Sequence, residues 1–188
     1  MMKIAGIELS NGLNIENRES YLEITYSWYH PFYWVFLGFS LLMNVMVINI
    51  IWDDLFSGNV PILVPSFFIL GGLLFLYLSL RKLLNSVKIF ITSDKIKINE
   101  GPIPTFGNNE LDTRKIKQFY CKALRTATKA NGPTSLSYQV HAIMNDNTHE
   151  LILGGLIDRQ QSLSFESEVE KFLGLKDIKI DGEIDKNW

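Results

Sequence analysis

The sequence predicts an α+β membrane protein: a transmembrane helical hairpin, then an antiparallel β-sandwich or barrel capped by one C-terminal α-helix. Three observations predict it. Two long segments, 24–52 and 55–80, contain no Asp, Glu, Lys or Arg, although such residues make up 20% of the chain. After residue 86 apolar and polar residues alternate, the pattern of half-buried strands. Between residues 158 and 174 the apolar spacing changes to that of an amphipathic helix.

The two uncharged runs are 29 and 26 residues long. A bilayer core needs roughly 20 apolar helical residues, so each run is long enough to cross. Aromatic anchors place the first helix at about 31–52, with Trp28, Tyr29, Phe32, Tyr33 and Trp34 at its start and Trp52 at its end. The second helix falls at about 60–80, with Tyr77 near its end. Asp53, Asp54, Ser57, Gly58 and Asn59 then form the water-exposed turn of the hairpin. An Asp at mid-bilayer costs about 2.5–3.5 kcal/mol on insertion scales, and that cost largely vanishes at the surface. The two adjacent acids therefore need no catalytic explanation.

Orientation is set by Arg81, Lys82 and Lys88, which come directly after the second run, whereas the hairpin tip has no basic residue. The positive-inside rule places Arg81 and the chain beyond it in the cytoplasm, and two spans place the N-terminus there too. The expected location is a bacterial inner membrane with both termini cytoplasmic. No signal peptide is apparent: the first charged residues are mostly acidic and no short apolar core precedes a small-residue cleavage site. The helices contain no ionisable residue, which favours an anchor over a transport path. Asn44 and Asn49 are polar residues in the first helix, suited to hydrogen-bond the second helix or another copy.

Residues 1–29 read as a β-hairpin, with Leu22, Ile24 and Tyr26 alternating and the turn near residues 17–20. A lone hairpin is marginal in water, so it is expected to join the cytoplasmic sheet. Within the 86–174 domain, VKIFITSDKIKI turns at Ser93-Asp94, which sets Ile91 against Ile96 and Ile89 against Ile98. GPIPTFGNNE at 101–110 reads as a loop, 114–124 as a strand and 124–135 as a connection. A two-residue turn at Asp146-Asn147 pairs Ala142 with Leu151 and Val140 with Leu153, with Leu136, Tyr138 and Met144 on the same face. This register puts His141 and His149 on opposite faces. In the last helix Asp158 is the expected N-cap and Gly174 the C-cap, with Phe165, Val169, Phe172 and Leu173 facing inward and Glu166, Glu168 and Glu170 mostly outward. The tail 175–188 reads as polar and frayed.

Several strands closed by one C-terminal helix, with the run IFITSDKIKINEG followed by ELDTRKIKQFY, resembles the bacterial pleckstrin-homology-like domain. The elements that carry the resemblance are Thr92, Asp94, Ile96, Ile98, Gly101, Leu111 and Ile116, and it covers about residues 87–173. It implies a membrane-tethered fold often found after a pair of membrane helices, and it implies no enzyme and no cofactor. Related chains with a cysteine-rich ribbon differ, because Cys121 is the single cysteine here. Phosphoinositide-binding members of the wider fold use a long basic loop between their first two strands, and the corresponding turn here is the short, acidic Ser93-Asp94.

No phosphate loop, nucleophile elbow or zinc motif appears, and a net charge of −2 disfavours nucleic acid. One stretch rises above background: Arg114, Lys115, Lys117, Lys122, Arg125 and Lys129 fall within sixteen residues without an acid. They are the candidate lipid- or partner-binding residues. The expected function is a non-enzymatic, membrane-anchored binding or scaffold module for a protein partner or for self-assembly. The alternatives are an electrostatic sensor of anionic lipids, at about 1 kcal/mol per near-surface Lys or Arg, and a small transport subunit.

Overall fold

The structure, a computed structural model, describes residues 5–9, 12–28, 32–57, 63–105, 107–127, 134–176, 178–180 and 182–184. The chain divides into two units. One, here the helical unit, comprises Trp28–Ser86 and Gly101–Thr105; the other, the β unit, comprises the three remaining stretches.

In the helical unit α1 spans Phe32–Ser57 and α2 spans Leu63–Leu84. Both are long and apolar enough to cross a membrane, with only 6% and 11% of their apolar windows buried. Their surfaces display Phe32, Trp34, Val35, Phe39, Leu42, Phe67 and Leu70, each more than half exposed. The helix bounds differ from the sequence expectation. α1 runs on through Asp53 and Asp54 to Ser57, so these acids occupy its last turns instead of a connecting turn; Gly58 and Asn59 lie outside the described residues. α2 continues past Leu80 and places Arg81 and Lys82 in its final turn, where cations complement the helix dipole. Asn44 spans the pair: its amide donates to Ser40 O at 2.7 Å and to Gly72 O of α2 at 3.2 Å. The absence of a side chain at Gly72 permits this, because a Cβ there would collide with the Asn44 amide. Asn49 donates to Val45 O within its own helix.

In the β unit, β1 (Ala5–Leu9), β2 (Leu13–Arg18), β3 (Tyr21–Ser27), β4 (Ser86–Ile91), β5 (Lys95–Gly101) and β6 (Asn109–Asp112) make one antiparallel sheet in that order. A second antiparallel sheet holds β7 (Ile116–Ala127), β8 (Thr134–Met144) and β9 (His149–Leu156). α3 (Arg159–Leu173) packs on β7, β8 and β9. Alternation fixes what is buried. Val87, Ile89, Ile91, Ile96 and Ile98 all face inward, and β2 and β3 add Leu13, Ile15, Leu22, Ile24 and Tyr26. The Tyr26 hydroxyl donates to Gly155 O at 2.9 Å, which ties β3 to β9. At the Ser93-Asp94 turn, Thr92 N–H donates to Lys95 O at 2.9 Å. Thr113, itself buried, clamps this turn with a hydroxyl bond to Ser93 O at 2.6 Å.

Asp158 caps α3 by accepting from Gln160 N–H at 2.9 Å, and Gly174 ends it in the left-handed region at φ +66°. Other parts depart from the sequence reading. Leu124 to Ala127 continue β7 and pair with Ser137 to Thr134, where a connection was expected; 128–133 lie outside the described residues. Leu136 is 48% exposed instead of extending the core. Glu166 and Glu170 are buried, not outward, because their positions on α3 adjoin those of Phe165 and Val169. The described part of the tail packs: Gln118 Nε2 donates to Ile178 O at 2.7 Å and Ile184 N–H donates to Cys121 O at 3.0 Å. Its polar residues do not prevent this, because the contacts use mainly the tail's backbone.

Candidate interaction site

The outer face of the three-stranded sheet brings together a group of polar and aromatic side chains. Its geometry begins at the β8–β9 hairpin. Met144 N–H donates to Thr148 O and Asn147 N–H to Met144 O, both at 2.9 Å, so the loop is Asn145–Asn147, three residues instead of two. Asn147 adopts φ +63°, the left-handed conformation that three-residue hairpin loops require and Asn tolerates. Asp146 locks the loop by accepting from Thr148 N–H at 3.0 Å and Thr148 Oγ1 at 2.6 Å. Those bonds hold its carboxyl below the usual range.

The longer loop shifts the register by one. Ala142 now pairs with Glu150 and His141 with Leu151; an irregularity at Val140/His141 then restores the Val140–Leu153 pair. Because strand side chains alternate, this single step moves His149 to the same face as His141, against the sequence expectation. Both pack on Tyr120 of β7. The His141 ring stacks on the Tyr120 ring at 5.2 Å between centroids, and the His149 ring meets it edge-on at 5.6 Å. The Tyr120 hydroxyl shares a hydrogen bond with His149 Nδ1 at 3.0 Å. Gln139 Oε1 lies 3.0 Å from His141 Nε2. Lys122 pairs with Gln139 on the same face and is exposed, as is Leu151. Burial raises the Tyr120 phenol, and burial followed by the charge of Lys122 lowers the His141 imidazole. Both shifts favour the neutral form. Tyr120 is itself buried, so what this face presents is the His149 ring, half-buried His141, the apolar Leu151 side chain and the Lys122 ammonium. β9 is one of the two edge strands of its sheet, so its outer backbone adjoins the same patch.

The five described basic residues of the 114–129 stretch do not gather into one patch. Arg114 sits in a 3-10 turn, Thr113–Lys115, and grips Asp112 with two bonds of 2.9 Å. Lys115, exposed in the same turn, lies in the field of Asp112 and Asp146. Lys117 falls at an irregularity in β7 between Ile116 and Gln118. Lys122 and Arg125 both lie on β7, but three residues apart they point to opposite faces. Lys129 and His30 lie outside the described residues. Among the described basic residues, only Lys122 joins the Tyr120–His141–His149 group. Sequence reading missed this group because its signal, the φ requirement at Asn147, is a matter of turn geometry.

Beneath the sheet the chemistry is different. Cys121 is fully buried, and its thiol lies 3.0 Å from Ser162 O. Burial, reinforced by Glu166, pushes the thiol far up, so its basic sequence neighbours do not activate it. Glu170 Oε1 accepts from Phe119 N–H at 3.2 Å, so this carboxyl supplies an edge partner for β7. Among the described residues no group of three or more His, Cys, Asp or Glu is placed to hold a metal ion. Comparison with models of known protein families gives no match, and comparison with curated proteins gives none either.

Proposed function

We propose that the chain is an integral membrane protein whose β unit, of pleckstrin-homology-like plan, is a non-enzymatic binding module for a protein partner or for self-assembly. The exposure of the helical pair carries this reading. Helices this apolar would be buried in a water-soluble protein, yet α1 and α2 turn Phe67, Leu70, Val35 and Leu42 outward at 75%, 70%, 63% and 58% exposure. A bilayer is the solvent that suits such a surface. The basic pair at the end of α2 favours a cytoplasmic β unit and, in a bacterial cell, the inner membrane.

The binding surface is the outer face of β7, β8 and β9 around Tyr120, His141 and His149. The lipid-sensor alternative draws less support, because Arg114 is engaged by Asp112, and Lys122 and Arg125 lie on opposite faces of β7. The test is affinity purification of the full chain in mild detergent, with co-purifying proteins quantified for wild type and for a Lys122→Glu/Leu151→Asp variant. A stoichiometric partner, or a homo-oligomer, that the variant loses while it still fractionates with membranes is the expected result. A protein that leaves the membrane in alkaline carbonate, or a partner set that the variant leaves unchanged, refutes the reading.

A further inference from the structure

We infer that the Gly101–Thr105 segment is a third lipid contact: a short non-helical wedge that enters the headgroup–acyl boundary beside α2. The inference rests on the reading of α1 and α2 as membrane helices.

Non-helical backbone is tolerated at membrane depth only where its polar groups are satisfied by protein. This segment meets that condition at Ile103 and Pro104. Pro102 and Pro104 have no backbone N–H to satisfy. Between them, Ile103 has both backbone groups bonded to one side chain: Asn85 Nδ2 donates to Ile103 O at 2.9 Å, and Ile103 N–H donates to Asn85 Oδ1 at 2.8 Å. Asn85 is itself only 2% exposed, so this pairing is enclosed. Pro104 O accepts the Tyr77 hydroxyl at 2.7 Å. The backbone groups of Ile103 and the Pro104 carbonyl are thus bonded within the protein, while the side chains from 102 to 104 are apolar, with Pro102 and Pro104 exposed and Ile103 half-buried.

Depth is set by the partners. Asn85 stands just past the end of α2, but Tyr77 lies a turn before Arg81, about 6 Å along the axis at 1.5 Å per residue. Long helical side chains lean towards the helix N-terminus, which here carries the Tyr77 hydroxyl away from the basic end. Pro104 is therefore held on the bilayer side of Arg81 and Lys82. Lys82 in turn lies 5.2 Å from the Trp28 ring, an aromatic–cation pair suited to the headgroup level. A loop designed only to meet a soluble partner has no need to hide its backbone at this depth.

Nitroxide labels on introduced cysteines test this in the full chain, reconstituted into vesicles of phosphatidylcholine and phosphatidylglycerol. Cys121 needs no replacement, since it is buried and its thiolate is disfavoured. The positions are Ile103→Cys and Pro104→Cys, with Leu73→Cys on the lipid-facing side of α2 and Lys171→Cys on exposed α3 as references. The expected result is a ratio of oxygen to nickel-chelate collisions several-fold higher at 103 and 104 than at 171, approaching that at 73. If 103 and 104 match 171 while 73 reads as lipid, the wedge is overturned and the membrane reading stands. If 73 itself reads as water, both fall.

Discussion

Deleting residues 1–27 while keeping both helices should unfold the β unit. β3 lies between β2 and β4, so the deletion strips β4 of a neighbour and takes three strands from the six-stranded sheet. It also removes Leu13, Ile15, Leu22, Ile24 and Tyr26, none more than 2% exposed. Full burial of such a side chain contributes about 2 kcal/mol, so the five together contribute on the order of 10 kcal/mol. That is an upper figure, because the unfolded chain already hides some of this surface. It still matches the whole stability of a typical domain, about 5–15 kcal/mol. Hydrogen-exchange mass spectrometry on the full chain and the deletion, both in mild detergent, reads the outcome. Amides of β4, β5 and β8 should lose protection while those of α1 and α2 keep it. Protection of β4 and β5 equal to that in the full chain would refute the reasoning. The same logic says that a fragment starting at residue 86 is no substitute for the β unit in a binding assay.

The other expectations are smaller in scale. Tyr26→Phe removes the bond to Gly155 O and should lower stability by about 1 kcal/mol, read as a shift in denaturant midpoint without a change in slope. Gly72→Leu fills the space occupied by the Asn44 amide and should weaken the α1–α2 pair by about 0.6–2 kcal/mol, measured as faster dissociation of the split hairpin in detergent. Thr148 holds the Asp146 carboxyl below its usual value, so the stability this supplies is complete above about pH 4 and is lost as pH falls through the depressed native value. Asp146→Asn should flatten that part of the stability–pH curve. The His141 imidazole, also lowered, contributes stability that is complete above about pH 6.5 and declines as pH falls through its native value; proton NMR titration of the ring should show the midpoint below about 6.5. Membrane-impermeant maleimide should leave Cys121 unlabelled in native protein on either side of a membrane and label it after denaturation.

Much of the β unit was readable locally. Ile89, Ile91, Ile96 and Ile98 declare their buried face by alternation, and Asp158 and Gly174 mark the ends of α3 because capping needs only the residues at the cap. The interaction site was not readable in the same way. His141 and His149 share a face only because the hairpin loop takes three residues, and two-residue and three-residue turns differ little in local energy. Arg114 looked like an available cation until Asp112 came within 2.9 Å of it.

By itself, then, the sequence determined the properties that depend on neighbours along the chain: the two runs without charge, the alternation in the strands, the helix caps and the basic end of α2. The tertiary structure decided the rest. It set β3 beside β4, turned Glu166 and Glu170 inward, gathered Tyr120, His141 and His149, and closed Asn85 on Ile103. Each of these joins residues distant in sequence or chooses between registers one step apart. Local preferences are nearly equal for such choices, and burial and hydrogen bonding in the assembled fold break the tie.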